Sequence, residues 1–160
     1  MATSVKRRTL RFSDLDQISA DAKKLLERGY FTAGKWNLSQ VCSHCADWMG
    51  FAMDGYPRAP VPIRMMLWIL CKTVGPKKLK QYLDDGDFPP GKPTMPQTVH
   101  DAQETPDAQA VRNLVHTIER FKRHTGPWHS SPLFGPMDGP THRRLQLVHC
   151  SHHLSVLVPK

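Results

Sequence analysis

Pro140-Thr141-His142-Arg143-Arg144-Leu145-Gln146-Leu147-Val148-His149-Cys150-Ser151-His152-His153-Leu154-Ser155-Val156 is the stretch whose reading decides the fold. Wound as an α-helix with Leu145 at zero, it gathers Arg144, Ser151 and Ser155 near about 240–280°. That side is wet, so its antipode, near about 70°, must face a core. His149 falls at about 40° and His153 at about 80°, close to the centre of the inner face. His142 and Gln146 lie along the same stripe. Leu145, Val148 and Val156 flank it on one side, and Cys150, Leu154 and Leu157 on the other.

A helix with an inner face needs other helices to pack on, and the rest of the chain supplies them. Met1 to Phe12 reads as an N-terminal arm, and residues 13–160 as one domain. Ser13 offers an N-cap with Asp16 three residues on, followed by Leu15, Ile18, Ala22, Leu25 and Leu26 at helical spacing as far as Arg28 and Gly29. Asn37 caps a second helix, from Leu38 to about Met53, stopped by Gly55 and Pro57. Pro62 opens a third, apolar helix through Val74, closed by Gly75-Pro76. Lys77 to Leu83 adds a short helical turn. Asp84 to Pro106 is rich in Pro, Gly and Asp and reads as a long irregular crossover. Val111, Leu114, Val115, Ile118 and Phe121 line one face of a fourth long helix, Asp107 to His124. A second loop, Gly126 to Pro136, leads to the final helix, Pro140 to Val156. No segment alternates as a strand should. The expected class is all-α.

Composition narrows the function. A chain of 160 residues with 39% hydrophobic content can bury a core without staples. Its longest apolar run, Met65 to Cys71, is far too short to span a bilayer, so no membrane partner is expected. Met1 to Leu10 has no apolar secretory core. Cys42, Cys45, Cys71 and Cys150 are therefore read as reduced thiols in a cytoplasmic protein. The net charge of +8 is spread over Lys6-Arg7-Arg8, Lys77-Lys78-Lys80, Arg120-Lys122-Arg123 and Arg143-Arg144. This is the pattern of a solvated surface. With no recognition-helix motif beside it, a nucleic-acid partner is not favoured.

Two imidazoles in the middle of a buried face require compensation, because an unpaired buried polar group costs a few kcal/mol. Residues i and i+4 on a helix have Cβ atoms about 5–6 Å apart, so His149 and His153 can converge on one ion. His44 sits on the shoulder of the second helix's apolar arc, beside Val41, Trp48 and Phe51, and offers a third nitrogen. Three protein ligands with an open position are the arrangement of a catalytic metal. Such a site releases its ion as pH falls below about 6, since imidazole binds only when neutral. Trp48, His142 and Gln146 are candidate pocket residues, and His152, about 100° from His153, a packing or supporting one. The alternative is that His149 and His153 bond other core groups or water in a non-enzymatic binding or scaffold protein. Cys42-x-x-Cys45 lacks the βαβ frame of a redox motif and the second cysteine pair of a zinc knuckle. Core packing is the preferred reading, with a cysteine–histidine zinc site through Cys150 as the minor one. Paired Glu-x-x-His motifs are absent, which excludes a di-iron bundle. Asp47 lies on the outer arc of its helix, and no general base can be named.

His44 followed by His149-x-x-x-His153 resembles the pattern of the DinB/YfiT-like superfamily. Gly34-Lys35-Trp36-Asn37-Leu38-Ser39-Gln40, Met53-Asp54-Gly55-Tyr56-Pro57, Phe134-Gly135-Pro136 and His152-His153-Leu154 are similar to a bacterial branch of it known as a domain of unknown function. The resemblance covers about Phe12 to Leu157. It implies a DinB-like four-helix bundle with a crossover connection and long loops. It implies a divalent nickel, zinc or iron site on His44, His149 and His153. It also implies a metal-dependent hydrolase or thiol transferase acting on a small molecule. Superfamily members are often homodimers; no interface is legible here. Many members continue Arg-Gly-Gln after the last histidine, whereas His153 is followed by Leu154-Ser155, a departure that bears on the thiol-transferase reading.

Overall fold

The computed structural model describes residues 5–91 and 94–160. The chain is mostly helical: α1 (Leu15–Arg28), α2 (Leu38–Asp54), α3 (Val61–Thr73), α4 (Gly75–Asp85), α5 (Asp107–Arg123) and α6 (Gly139–Leu154), with a single 3-10 turn at Pro96–Thr98. Two short strands, β1 (Tyr30–Thr32) and β2 (Leu157–Pro159), complete it. Among the described residues no helix is long and apolar enough to cross a membrane.

The helix ends follow local chemistry. The cap of α1 is Asp14, not Ser13: the Asp14 carboxylate accepts from the Gln17 amide at 3.0 Å, and the Ser13 amide donates to Gln17 Oε1. Asn37 caps α2 in a reciprocal box with Gln40. All four donors that a helix start leaves over are satisfied there. The Asn37 amide donates to Gln40 Oε1, Leu38 to the Tyr30 hydroxyl, Ser39 to the Asp107 carboxylate and Gln40 to the Asn37 side chain. Asp138 caps α6 through the Thr141 amide.

Three differences from the sequence reading stand out. β1 and β2 pair antiparallel, Thr32 opposite Leu157 and Tyr30 opposite Pro159, so strands exist where none was expected. Three residues are too few to show alternation. The same pairing ends α6 at Leu154 rather than Val156, because Leu157 onward is drawn into the ladder. Gly75-Pro76 does not merely close α3 but opens α4, a full helix to Asp85. Gly75 is buried against Leu133, where a Cβ would lie 2.0 Å from the Leu133 carbonyl oxygen.

α1, α2, α5 and α6 share one buried core, built from Leu15, Ile18, Leu25, Leu38, Val41, Met49, Leu114, Ile118, Leu154 and Leu157 among others. α4 packs on α6 through a smaller cluster around Tyr82, Phe134 and Leu145. α3 joins neither core. Residues 1–4 of the expected arm lie outside the described residues. Beyond them the chain runs along the end of α6, where the Arg8 amide donates to the Ser155 carbonyl and the Phe12 amide to the Ser151 hydroxyl. The Arg8 guanidinium grips Asp21 with two bonds of 2.8 and 2.7 Å and reaches the Leu154 carbonyl.

Candidate metal centre

α2 and α6 lie side by side in the core and bring His44, His149 and His153 together. One ring nitrogen from each lies within 4.8 Å of the other two. The ring centroids are 5.0 Å (His44–His149), 4.3 Å (His44–His153) and 4.7 Å (His149–His153) apart. His44 is fully buried, while His149 and His153 each keep a partly exposed edge. The cluster is thus closed on the core side and open on the other.

The orientation of His44 is set from outside the two helices. Its Nδ1 lies 3.1 Å from the Thr98 carbonyl oxygen, on the 3-10 turn within the long 84–106 segment. A carbonyl only accepts, so Nδ1 carries the hydrogen and Nε2 presents a lone pair. That Nε2 lies 3.1 Å from His149 Nε2. Tetrahedral nitrogen ligands at about 2.0–2.1 Å from an ion are about 3.3 Å apart, so this pair has the spacing such an ion needs. A ligating imidazole held by an outer acceptor is also the usual way in which a metal ligand is oriented.

The site is dry. Trp36 stacks on His153 at 5.5 Å and 15° and leans on His44 at 5.0 Å. Trp48 meets His149 edge-on at 5.6 Å, and Phe88 meets it at 5.9 Å. Burial among these rings disfavours the charged imidazolium, with smaller repulsion from neighbouring histidines. It pulls His44 down to about 4, His153 to about 2, and His149 well below its ordinary value. All three are neutral at physiological pH, the form that binds metal.

The other sequence candidates fall around this centre unequally. Gln146 is buried; its Nε2 donates to the Trp48 carbonyl at 3.3 Å, while its Oε1, Trp48 Nε1 and His149 Nδ1 have no hydrogen-bond partner among the described residues. His142 is not part of the cluster. Seven residues before His149, about 10 Å along the helix, it stacks on Trp128 at 5.0 Å, and among the described residues its ring nitrogens make no full hydrogen bond. Its position on the inner stripe was read correctly, but the stripe passes from one packing environment to another along its length. His152 Nδ1 lies 2.8 Å from Asp87 Oδ1, and Arg7 bonds both Asp87 and the His152 carbonyl. Burial raises the Asp87 carboxyl, but His152, the Phe88 amide and Arg7 outweigh it and hold it below its ordinary value. His152 thereby ties the start of the 84–106 segment to α6. Asp47 pairs with His100 at 2.7 Å and is not grouped with the three imidazoles.

Cys45, Cys150 and His149 form a second close group. The Cys45 and Cys150 thiols contact one another, and with Cys42 they are fully buried. The Cys150 contact and burial push the Cys45 thiol well up, and burial does the same for Cys42. A thiolate there must be made at a cost, whereas the three imidazoles are already deprotonated. The three-histidine set is therefore the better ligand set, and the thiols pack as small apolar groups.

Trp36, Phe88, Thr98 and Asp87 are the site residues that sequence reasoning did not single out. All four lie outside the helices and reach the centre through chain closure, and only Trp36 lay within a quoted motif.

Fold and site together define a helical protein with a buried cluster of neutral histidines between two core helices. The chain belongs to the family described as protein of unknown function (DUF1569), whose profile matches residues 4–160. No curated protein and no solved structure matches it.

Proposed function

We propose that the chain is a metal-dependent enzyme that holds a divalent nickel, zinc or iron ion on His44, His149 and His153. The shared core of α1, α2, α5 and α6, with a long connection between α2 and α5, supports reading the fold as a DinB-like four-helix bundle with a crossover. One observation carries the functional reading: ring nitrogens of three neutral histidines, not two, lie within 4.8 Å of one another. In a metal-free core the 3.1 Å contact between His44 and His149 is an ordinary hydrogen bond from His149 Nε2–H, so the convergence of His153 on the same point is what favours an ion.

An ion bound there supplies Lewis acidity, which lowers the pKa of a coordinated water or thiol. The chain's own contribution is to hold three neutral nitrogens, exclude bulk water with Trp36, Trp48 and Phe88, and leave one side open to a small molecule. Asp47 is paired with His100, and among the described residues no carboxylate is grouped with the three imidazoles. That favours chemistry in which the activated water or thiol acts directly, as in a hydrolase or a thiol transferase.

The second reading is a metal-free binding or scaffold protein. His142 favours it, since this core already buries one imidazole whose ring nitrogens make no full hydrogen bond among the described residues and have only the His129 backbone nearby. Elemental analysis of untagged protein, wild type beside His149→Ala, separates the two. Near-stoichiometric metal in the wild type and none in the variant supports the enzyme reading. No metal in either, even after incubation with divalent ions, leaves the scaffold reading.

A further inference from the structure

Among the described helices, α3 (Val61–Thr73) is the one with no buried residue, although its sequence, VPIRMMLWILCKT, is among the most apolar of the chain. Trp68 is 64% exposed, Met65 63% and Val61 62%, and Met66, Ile69 and Ile63 are exposed as well. Leu67, Leu70 and Cys71 are half-buried and mark the side turned to the body of the protein. With Met65 at zero, Trp68, Val61, Ile69 and Met66 share an outward arc of about 160°. Lys72 is the only charge within it. A contiguous apolar face of this kind on a water-exposed helix marks a surface that something covers.

The charges around the face say what covers it. Between Asp54 and Asp84 the chain has no acidic residue and six basic ones: Arg58, Arg64, Lys72, Lys77, Lys78 and Lys80. All six are exposed, and among the described residues only Lys80 has a carboxylate partner, Asp84. A second copy laid on this face would bring the same six positive charges against their equals, with no carboxylate of the stretch to answer them. The area argues the same way. A helix of 13 residues is about 20 Å long and 10 Å across, a patch of a few hundred Å². A standard protein interface needs about 800 Å² per partner. A lipid surface sets no such minimum, accepts Met, Ile and Val side chains at the headgroup–acyl boundary, suits Trp at that depth and attracts a basic rim. The helix is too short to cross, so it can only lie in the plane.

We propose that α3, with its basic rim, docks the protein in plane onto an anionic phospholipid surface. The sequence reading expects no membrane partner because no apolar run is long enough to span, and among the described residues no helix is long and apolar enough to cross; a surface contact is a different demand, departs from that expectation and rests on the exposure of α3.

Sedimentation of the full chain with vesicles of equal parts phosphatidylglycerol and phosphatidylcholine, beside vesicles of phosphatidylcholine alone, tests this. The expected result is binding to the anionic vesicles that weakens as salt rises, with little binding to the neutral ones. The double variant Met65→Glu, Ile69→Glu should bind at least about tenfold more weakly, since two side chains no longer enter the boundary. Its circular dichroism, unfolding midpoint and metal content should match the wild type, because neither side chain belongs to a core. Lys72→Glu, Lys77→Glu, Lys78→Glu should lose the preference for anionic lipid. Equal binding by wild type and Met65→Glu, Ile69→Glu would overturn the proposal. So would no vesicle binding together with a wild-type dimer that the same variant dissociates, which would give the face to a second copy. Absence of both binding and self-association would overturn it too.

Discussion

His44, His149 and His153 each take a proton less readily in the folded chain than in the unfolded one. An unfolded histidine titrates near 6.5, while in the fold His44 stays neutral down to about 4 and His153 to about 2. Between those limits the unfolded state binds protons that the native state refuses, so native stability falls as pH drops through 6.5 toward 4 and is flat above it. His142, also depressed by burial, adds to the slope. His100 opposes it: burial pulls it down, but Asp47 and Glu104 outweigh that and raise it, so its contribution is present at low pH and fades as pH rises. Urea midpoints of metal-free protein at pH 5 and pH 7.5 should differ in favour of the higher pH, and His153→Gln should flatten the difference. Depressed proton affinity also moves the expected release of a bound ion below the pH of about 6 that an ordinary histidine implies, toward 4. Following metal content against pH would show it. These residues were legible because i and i+4 on one helix is a local relation. What holds them was not. Thr98 is 54 residues from His44 in sequence, and its carbonyl is found only when the 84–106 segment is closed onto α2.

α2 carries the site and has the most completely satisfied start. Asn37 was readable as its cap, since Asn and Gln40 stand three residues apart. The Tyr30 and Asp107 contributions were not readable, because they come from β1 and α5. Asn37→Ala removes the acceptor for the Gln40 amide and should cost about 0.5–2 kcal/mol. Chemical denaturation checks it, and Asn37→Ser should recover most of the loss. The opposite lesson comes from α3. Apolar content there reads as core, yet the structure leaves it outside both hydrophobic clusters. Periodicity tells which face of a helix is greasy, but not whether the rest of the chain covers it. β1 and β2 lie beyond sequence reading for a simpler reason: their pairing joins residues over a hundred positions apart in runs too short to have a period.

At the scale of the whole molecule, the parts are held by a few long-range ties. Arg7 and Arg8 fasten the N-terminal stretch to the end of α6, to Asp87 and to Asp21. The β1–β2 pair fastens the last residues to the start of α2 through Tyr30. The 84–106 segment, expected as a bare crossover, is pinned at Asp87 by His152, at Thr98 by His44 and at His100 by Asp47. Each of these last three ties joins the segment to α2 or α6, the helices that bear the histidine cluster, so disorder in this connection would reach the cluster directly.

Gly75 governs one freedom that none of these ties restrains. α3 and α4 meet at a point where the backbone passes so close to Leu133 that a single methyl group has no room. The absent side chain is what lets the α3–α4 junction seat against that turn. Gly75→Ala should cost about 1–3 kcal/mol by forcing the 131–135 turn away, a loss that thermal unfolding would reveal. The seating of the apolar helix on the rest of the molecule thus depends on one missing carbon.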